Sequence, residues 1–435
     1  MRAEVVGDLS AAAGRHLAVD DAPADLAARL RPATPAEWPA FSRTMSAVFG
    51  SEPSSAWTDE VPPVAELDRS LGLWEGERVV ATAGIYGREL TVPGAVVPCA
   101  GVTWVTVSPT HRRRGVLTAM MRRQLTELHE QQREPVAALW ASEGAIYGRF
   151  GYAPAAELGG LSGRIAELGL RPDVDLGAGA VTPVEVEEFR DAAARVHEQV
   201  RRFVPGNLAR TTPWWDRLLE DRPERRGGAT ARRYLLHTGP DGAVTGYAAY
   251  RVTAAWDDHG APDGTVSVEE VRALDTPAYA ALWRYLLSID LVRTVRARTA
   301  SADEPLRHLV ADPRALHRRP LDSLWVRLVD VDRALAARRY PAPIDLVLEV
   351  RDEFCPWNAG RWRLSGHPAG GYCGRTDRDP DLVLGSEELA AAYLGGVSPA
   401  SLQAAGRVTE VSPGAVTLAA TAFSWPVTPW CPDDF

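Results

Sequence analysis

The segment Val102-Thr-Trp-Val-Thr-Val107, followed by Ser108-Pro-Thr-His111 and Arg112-Arg-Arg-Gly115, decides the fold of the first part of the chain. Its β-branched and aromatic start predicts a buried strand, and Ser-Pro-Thr-His predicts a turn. Beyond Gly115, apolar residues recur at intervals of three and four, which predicts a helix with one largely apolar face. That face comprises Leu117, Met120, Met121, Gln124, Leu125 and Leu128.

Three consecutive arginines, Arg112–Arg114, stand where this helix begins. A helix N-terminus carries partial positive charge and unpaired N–H groups, so cations are unfavourable there unless an anion is bound. The combination of strand, arginine-glycine turn and helix start predicts a cradle for a pyrophosphate. A solvated arginine cluster that tolerates the helix dipole is the alternative, and the motif alone leaves it open.

Strands and helices alternate on both sides of this segment. The patterns predict a helix over Ala36–Phe49, strands over Leu71–Trp74, Val79–Tyr86 and Glu89–Val92, and a further strand over Val136–Trp140 after Pro135. At roughly 100–200 residues per domain, 435 residues predict about three domains.

A second region, from about 181 to 328, repeats the order of elements without the arginine-glycine loop. Its strand Val266–Leu274 runs into Asp275-Thr-Pro277, which is an N-cap signal with no anion-binding loop. A third region follows Val331 and ends in a tail rich in proline and aromatic residues.

All 48 basic residues are arginine, against 57 acidic residues, so the formal net charge is −9. The lack of lysine excludes Schiff-base chemistry and any phosphate-binding loop that needs a lysine. The acidic balance argues against nucleic acid and an anionic membrane as partners. Scarce asparagine and isoleucine favour GC-rich codon usage as the cause. Protection from a reactive acyl donor is the alternative.

The four cysteines are far apart and form no C-x-x-C pair. This spacing excludes a cysteine-rich zinc site, argues against a disulfide framework and fits a reducing compartment. The first residues lack a signal-peptide pattern, and no apolar run approaches the roughly 18 residues of a membrane span. We expect a cytoplasmic protein without a metal cofactor.

A second motif, Ala141-Ser-Glu-Gly-Ala-Ile-Tyr147-Gly-Arg-Phe-Gly-Tyr152, follows the strand that ends at Trp140. Together with Val105-x-Val107 and Arg112-x-x-Gly115, it resembles the Eis (enhanced intracellular survival) family of GNAT N-acetyltransferases. The resemblance covers roughly residues 34–435, and Leu117 replaces the glycine or alanine that ends the common cofactor signature. Supporting strings are Glu270-Val-Arg-Ala-Leu274, Ala281-Leu-Trp-Arg284, Asp322-Ser-Leu-Trp325 and Tyr393-Leu-Gly-Gly396.

The resemblance implies an α+β (mixed α/β) fold with two GNAT-like domains in tandem, followed by a sterol-carrier-protein-like domain. We assign residues 1–30 to an N-terminal extension and 31–175 to a GNAT domain that binds acetyl-CoA. Residues 176–328 form a second, degenerate GNAT-like domain, and 329–435 form the sterol-carrier-like domain with the catalytic C-terminus. The resemblance also implies a homo-oligomer, namely a hexamer.

The resemblance assigns the cofactor to the first motif. The strand backbone at Val105 and Val107 would pair with the pantetheine, and the N–H groups of the arginine-glycine loop would hold the pyrophosphate. The full set of expected cofactor residues is Val105, Thr106, Val107, Arg112, Arg113, Gly115, Val116 and Ser142. Arg114 is expected to be solvated, and His111 is expected to be a solvated neighbour of phosphate and not a base.

Two groups are the catalytic residues that the resemblance implies. Tyr147 would donate a proton to the leaving thiolate, and the α-carboxylate of Phe435 would attract and deprotonate the acceptor amine. The alternative for Tyr147 is a core aromatic residue beside Phe150 and Tyr152. The alternative for Phe435 is a frayed chain end.

The acceptor pocket is expected to be lined by Phe49, Trp57, Trp104 and Asp434, with core packing as the alternative for each tryptophan. Trp140 stands where the family commonly has histidine or another ring, so a base is not expected there. Aromatic faces and carboxylates suit cationic amines.

The expected function is direct acetyl transfer, through a ternary complex, from acetyl-CoA to amines of a cationic small molecule such as an aminoglycoside or polyamine. Acetylation of a peptide or protein lysine and a non-catalytic carrier or scaffold role are the alternatives.

Overall fold

The computed structural model describes residues 26, 29–51 and 60–435. The chain divides into two compact units. Among the described residues, the first unit comprises 26, 29–51, 60–61, 67–84 and 104–124, and the second comprises 62–66, 85–103 and 125–435. Most of the N-terminal extension assigned above, residues 1–25, lies outside the described residues.

The α-helices of the described residues are numbered here in chain order. They are α1 Trp38–Val48, α2 Val116–Gln131, α3 Val186–Arg201, α4 Thr212–Leu219, α5 Thr276–Leu286, α6 Leu306–Leu309, α7 Val331–Ala337, α8 Ser386–Tyr393, α9 Pro399–Ala404 and α10 Ala415–Phe423. Within the described ranges, none of these helices combines the length and apolar character needed to cross a membrane.

The strands of the described residues are numbered in the same way. They are β1 Leu30–Arg31, β2 Leu71–Glu75, β3 Arg78–Val92, β4 Ala95–Val107, β5 Val136–Trp140, β6 Ala153–Pro154, β7 Glu157–Arg164, β8 Ala180–Val184, β9 Arg233–Thr238, β10 Val244–Thr253, β11 Gly264–Ala273, β12 Val292–Ala297, β13 His317–Asp322, β14 Leu324–Leu328, β15 Ile344–Arg351, β16 Gly360–His367, β17 Gly370–Arg375, β18 Leu382–Gly385 and β19 Val408–Glu410.

The first unit packs the start of α2 on a small antiparallel sheet. β1 pairs with β2, and β2 pairs with β3 in the register Leu71 to Ala83. The first part of the predicted apolar face of α2 lies in this core, where Met120 is fully buried in one cluster with Val80 and Ala83. The expected strand–turn–helix order is therefore confirmed, and the helix begins at Val116.

In the second unit, the chain does not pair its strands in sequence order. β4 runs parallel to β5 from Cys99–Val136 to Gly101–Ala138, and β14 then pairs antiparallel with β5 and β6. β7 instead joins β12 and β13. The pairings of β7 and of β14 both cross the domain boundary placed at 175. The boundaries at 175 and 328 remain predictions from the sequence.

Two further sheets belong to the second unit. One has the order β13-β7-β12-β11-β10-β9-β8, with α5 packed on one face and α3 and α4 on the other. The other has the order β17-β16-β15-β18-β19 and buries its apolar residues against α7, α8 and α10. In the last sheet buried and more exposed residues alternate along β16, so helices cover its apolar face and the other face carries charged side chains such as Arg363 and Asp345.

One predicted boundary was wrong. The sequence predicted Val79–Tyr86 and Glu89–Val92 as separate strands, but β3 runs without a break from Arg78 to Val92. Gly87 and Arg88 stay extended, because the Arg88 side chain is buried and held by a carbonyl in the second unit.

Candidate active site

Within the first motif, one residue of strand β4 has a left-handed backbone conformation. Trp104 has φ of 58°, a conformation that is uncommon for a bulky residue and that marks functional sites. Its ring packs edge-on against Trp38 and Phe41, and the hydroxyl of Thr82 donates a hydrogen bond of 2.6 Å to its carbonyl. These contacts hold the backbone turn immediately before Val105.

The side chains of the residues that follow Trp104 pack within the first unit. The Thr106 hydroxyl lies 2.6 Å from the Thr82 hydroxyl, and Thr106 is buried. Val105 and Val107 pack against the core of the first unit. The predicted pairing with an extended pantetheine would use the backbone N–H and C=O groups of this stretch, and it stays a prediction.

The arginine-glycine loop brings N–H groups to the start of α2. Arg113 and Gly115 both adopt left-handed conformations, with φ of 61° and 77°, and Val116 begins the helix. Left-handed residues beside a helix start turn successive N–H groups toward one point, which forms an anion-binding concavity. The Nε of Arg112 donates to the Val107 carbonyl at 3.3 Å, and the guanidiniums remain exposed.

His111 has partners of its own beside this loop. Its Nε2 lies 3.2 Å from a carboxylate oxygen of Glu75, and its Nδ1 lies 2.9 Å from the Thr110 hydroxyl. These contacts hold the ring against the first unit, where its side chain is only 12% exposed and not solvated as expected.

Tyr147 belongs to the second unit and lies directly before the short 3-10 turn Gly148–Phe150. Its side chain is 5% exposed and meets Tyr152 edge-on. Burial, together with the nearby charge of Glu143, raises the pKa of Tyr147 to about 12. The phenol is therefore protonated at neutral pH and can donate a hydrogen bond.

The ring of Phe435 lies on strand β4 within the second unit. A Cβ at Gly101 would lie 3.0 Å from this ring, so a larger residue there would press on the ring. Gly101 is also the last β4 residue in the described ladder with β5. The C-terminal residue is thus packed against the strand shortly before Val105, and it is not frayed.

Arg88 lies beside Phe435 as a buried cation. Its guanidinium stacks on Trp214 at 3.8 Å, lies 5.9 Å from the Phe435 ring and donates to the Ala209 carbonyl at 3.0 Å. Burial lowers the pKa of the Arg88 guanidinium, while the negative charge of Asp433 opposes that shift. Within the described ranges, its Nε and one terminal nitrogen have no hydrogen-bond partner.

The last residues before Phe435 are clamped to the second sheet. Arg210 bonds Asp433 at 2.7 Å and Glu270 at 2.8 Å and 3.0 Å, and all three side chains are largely buried. Although burial disfavours its ionised form, Arg210 and Arg272 hold the pKa of the Glu270 carboxyl well below its usual range. Trp430 adds a stacking contact with Arg272 at 4.0 Å.

A cavity of about 780 Å³ opens beside this tail in the second unit. Its walls include Trp140, Trp215 and the predicted acceptor residue Asp434. A volume in this range suits a small-molecule site.

The other predicted site residues have different surroundings. Ser142 is exposed in the loop after β5, and Phe49 is 53% exposed after α1. Trp104 is only 6% exposed and packs in the core of the first unit, so its role in the acceptor pocket stays a prediction. Trp57 lies outside the described residues.

Sequence reasoning missed Gly101, Arg88 and Arg210. Arg88 carried a signal, because it is a charged residue between two stretches rich in apolar residues. Gly101 and Arg210 carried none, since their roles depend on residues more than 200 positions away in the chain.

Comparison with known families defines the class. Residues 29–155 and 206–328 each match an acetyltransferase (GNAT) domain, and residues 331–432 match a sterol carrier protein domain. The chain therefore has an α+β fold of two tandem GNAT domains followed by a sterol-carrier-like domain.

Two similar proteins and one solved structure identify the family within this class. N-acetyltransferase Eis of Mycobacterium tuberculosis is 37% identical over 86% of this chain and 90% of its own length. An uncharacterized N-acetyltransferase of Streptomyces avermitilis is 45% identical over 92% of this chain and 97% of its own. The crystal structure of Eis1 from Mycobacterium abscessus matches with a TM-score of 0.80 at 33% identity, over 93% of this chain and all of that one. The chain belongs to the Eis family of GNAT N-acetyltransferases, and it is an acetyltransferase.

Proposed function

We propose that the protein transfers acetyl directly from acetyl-CoA to an amine of a small molecule within a ternary complex. The observation that carries this proposal is the loop in which Arg113 and Gly115 are left-handed directly before α2. It supports pyrophosphate binding, because converging N–H groups at a helix start favour phosphate oxygens.

In this proposal the cofactor residues are the ones named from the sequence. The backbone of Val105, Thr106 and Val107 pairs with the pantetheine arm, and one of its N–H groups polarises the thioester oxygen. The loop N–H groups and the exposed guanidiniums of Arg112 and Arg113 hold the phosphates. The remaining proposed contacts are Gly115, Val116 and Ser142.

The proton transfers are proposed for Phe435 and Tyr147. The α-carboxylate of Phe435 takes a proton from the acceptor ammonium, directly or through water, and the free amine attacks the thioester carbon. The bond from that carbon to sulfur breaks, and Tyr147 donates its phenolic proton to the departing sulfur. Ring packing on Gly101 and the anchoring of Asp433 by Arg210 support this role, because they restrict the terminal residue.

The pKa of Tyr147 limits how this acid can act. Full transfer from a phenol of pKa about 12 to a thiolate of reference pKa about 8.5 costs about 5 kcal/mol. Burial disfavours the thiolate as it disfavours the phenolate, so the two shifts offset in a dry site. The proposal therefore requires a thiolate that leaves into a desolvated pocket.

The acceptor proposal rests on Asp434 and the aromatic residues. Phe49, Trp57 and Trp104 would form aromatic walls, and Asp434 would attract the ammonium. The family resemblance and the net charge make aminoglycosides and polyamines candidate acceptors. They form one arm of the assay panel. A homo-hexamer likewise follows from the resemblance, and sedimentation analysis of the purified protein tests it.

The test is an assay of acetyl-CoA consumption over a panel of amines. Extending the chain beyond Phe435 by a short tag should lower turnover by about a hundredfold or more, because the α-carboxylate is then converted to an amide. An equal tag at the N-terminus is the matched control. Undiminished turnover in the C-terminally extended protein would eliminate the carboxylate role.

Tyr147→Phe tests the proposed acid. Turnover should fall about tenfold or more while the dissociation constant for acetyl-CoA stays the same, because only the phenolic proton is lost. In the wild type, an acid with a pKa of about 12 stays protonated, so its ionisation should cause no decline in turnover below about pH 10. Turnover equal to wild type in the variant would remove Tyr147 as the acid.

A further inference from the structure

The cavity beside the C-terminal tail contains an excess of arginine. Its lining includes seven arginines and four carboxylates. The cavity floor is formed by parts of strands β10, β11 and β12, and leucines of α4 form part of its wall. For a family member proposed to bind cationic amines, this balance is the reverse of what simple charge complementarity predicts.

The two glutamates of the lining are already neutralised. Glu269 bonds Arg232 and Arg251 at 2.5 Å and 2.6 Å, and Glu270 bonds Arg210 at 2.8 Å and 3.0 Å. Each glutamate oxygen therefore faces a guanidinium, and neither carboxylate is left free to attract an ammonium group. Asp434 and Asp322 are the remaining acids, and Asp322 accepts a hydrogen bond of 2.6 Å from the indole of Trp325.

Three arginines of the lining have no such partner. Among the described residues, the side chains of Arg225, Arg296 and Arg298 make no ion pair or hydrogen bond, and all three are exposed to solvent in the open cavity. Arg296 and Arg298 are alternate residues on β12 and just beyond it, so they project from the same face of the sheet. Unpaired guanidiniums on one concave surface form a site for a carboxylate or phosphate, which they bind through paired N–H donors.

We infer that the acceptor carries an anionic group, a phosphate monoester or a carboxylate, in addition to the amine that is acetylated. This inference rests on the proposed function and specifies its substrate class. Arg296 and Arg298, with Arg225, bind the anionic group, and Asp434 on the same cavity attracts the ammonium. A polycation without an anionic group would place positive charge beside unpaired arginines, which disfavours its binding.

Matched pairs of amines test the inference. O-phosphoethanolamine is compared with ethanolamine, and β-alanine with propylamine, while spermidine represents the polycations. The kcat/KM for at least one amine with an anionic group should exceed that of its partner without one about tenfold or more, and the phosphate and carboxylate pairs distinguish the two chemistries. Added salt should reduce the preference, because the arginines are exposed.

A double variant, R296Q together with R298Q, removes two of the proposed ligands and keeps the side-chain length. The preference within each pair should fall toward one. The matched control is Arg314→Gln, an exposed arginine outside the cavity lining, which should keep the preference of the wild type. Calorimetric titration with O-phosphoethanolamine and ethanolamine in the presence of coenzyme A gives a readout that does not depend on turnover.

The outcomes separate the inference from the proposed function. Acetylation of spermidine, or of the amines without an anionic group, with equal or higher kcat/KM overturns the inference and leaves the acetyltransferase proposal standing. A preference that survives in the double variant also overturns it. Tighter binding of O-phosphoethanolamine that the double variant abolishes, without acetylation of any amine, supports the anion site and contradicts the proposed reaction.

Discussion

In each GNAT domain a strand leads into a helix, but the two helix N-termini differ in what lies beside their N–H groups. In the first, Arg113 and Gly115 are left-handed directly before α2, and the N–H groups of the loop are left for a ligand. In the second, the side chain of Asp275 accepts a hydrogen bond of 2.8 Å from the Ala278 N–H at the start of α5. One helix start is open to an anion, and the other is capped by a carboxylate of the chain itself.

The comparison indicates how small a change at a helix start would disfavour the binding of an anion. A capping aspartate satisfies an N–H group and adds a negative charge that repels phosphate. The strand and the helix are retained, because both are needed to bury the apolar faces of the domain. The second domain keeps the core and turns one face of its sheet into the wall of a cavity.

The largest effect is expected from closing the open loop. Gly115→Val places a β-branched residue at φ of 77°, where only glycine is unstrained, so the N–H groups should no longer converge. The affinity for acetyl-CoA should fall about a hundredfold, as measured by calorimetry. Gly76→Val, at a surface turn with φ of 62° and open space around it, is a control for strain alone. Acetyl-CoA affinity unchanged by Gly115→Val would refute the cradle.

A smaller effect is expected from making the first loop resemble the second. Arg112→Asp puts a carboxylate beside the helix start and removes a guanidinium, so the dissociation constant for acetyl-CoA should rise about tenfold to fiftyfold. Arg114→Asp makes the same change of charge at the residue expected to be solvated, and it should weaken binding less. Equal weakening by both variants would show that overall charge acts, and not the position of Arg112.

The smallest effect is expected in the second domain. Asp275→Ala removes the cap of α5 and should lower the free energy of unfolding by about 1 kcal/mol, as measured by denaturant titration. The variant should not gain a second acetyl-CoA site, because no left-handed arginine-glycine loop precedes α5. A second equivalent of acetyl-CoA bound in calorimetry would show that the cap alone had closed this site.

Much of the candidate site was predictable because its signals are local. The strand, turn and helix between Val102 and Leu128 follow from residue types and from spacings of a few positions. The Asp275 cap was predicted in the same way, and it is present. The continuity of β3 through Arg88 was not predictable, because that arginine is held by the carbonyl of Ala209, far along the chain.

Long-range pairing explains what the sequence left undecided. Strand β14 pairs with β5, although about 180 residues separate them. Strand β7 pairs with β12 in the second sheet and not with the strands of the first. The seating of Phe435 on Gly101 depends on packing between strand β4 and the chain end. The periodicity of apolar residues does not predict such contacts. Several strands have similar patterns, and which of them pair depends on how well they bury apolar surface and fit together.

The sequence by itself determined the family, the tandem architecture and the loop proposed to hold acetyl-CoA, because a helix start needs particular residues at fixed spacing. Only the tertiary structure decided that the chain end is clamped through Arg210 and that three arginines share a cavity without partners. The physical reason is that pairing between charges depends on distance in space. A count of 48 arginines against 57 acids gives the net charge, but it cannot say which guanidiniums remain free to bind a ligand.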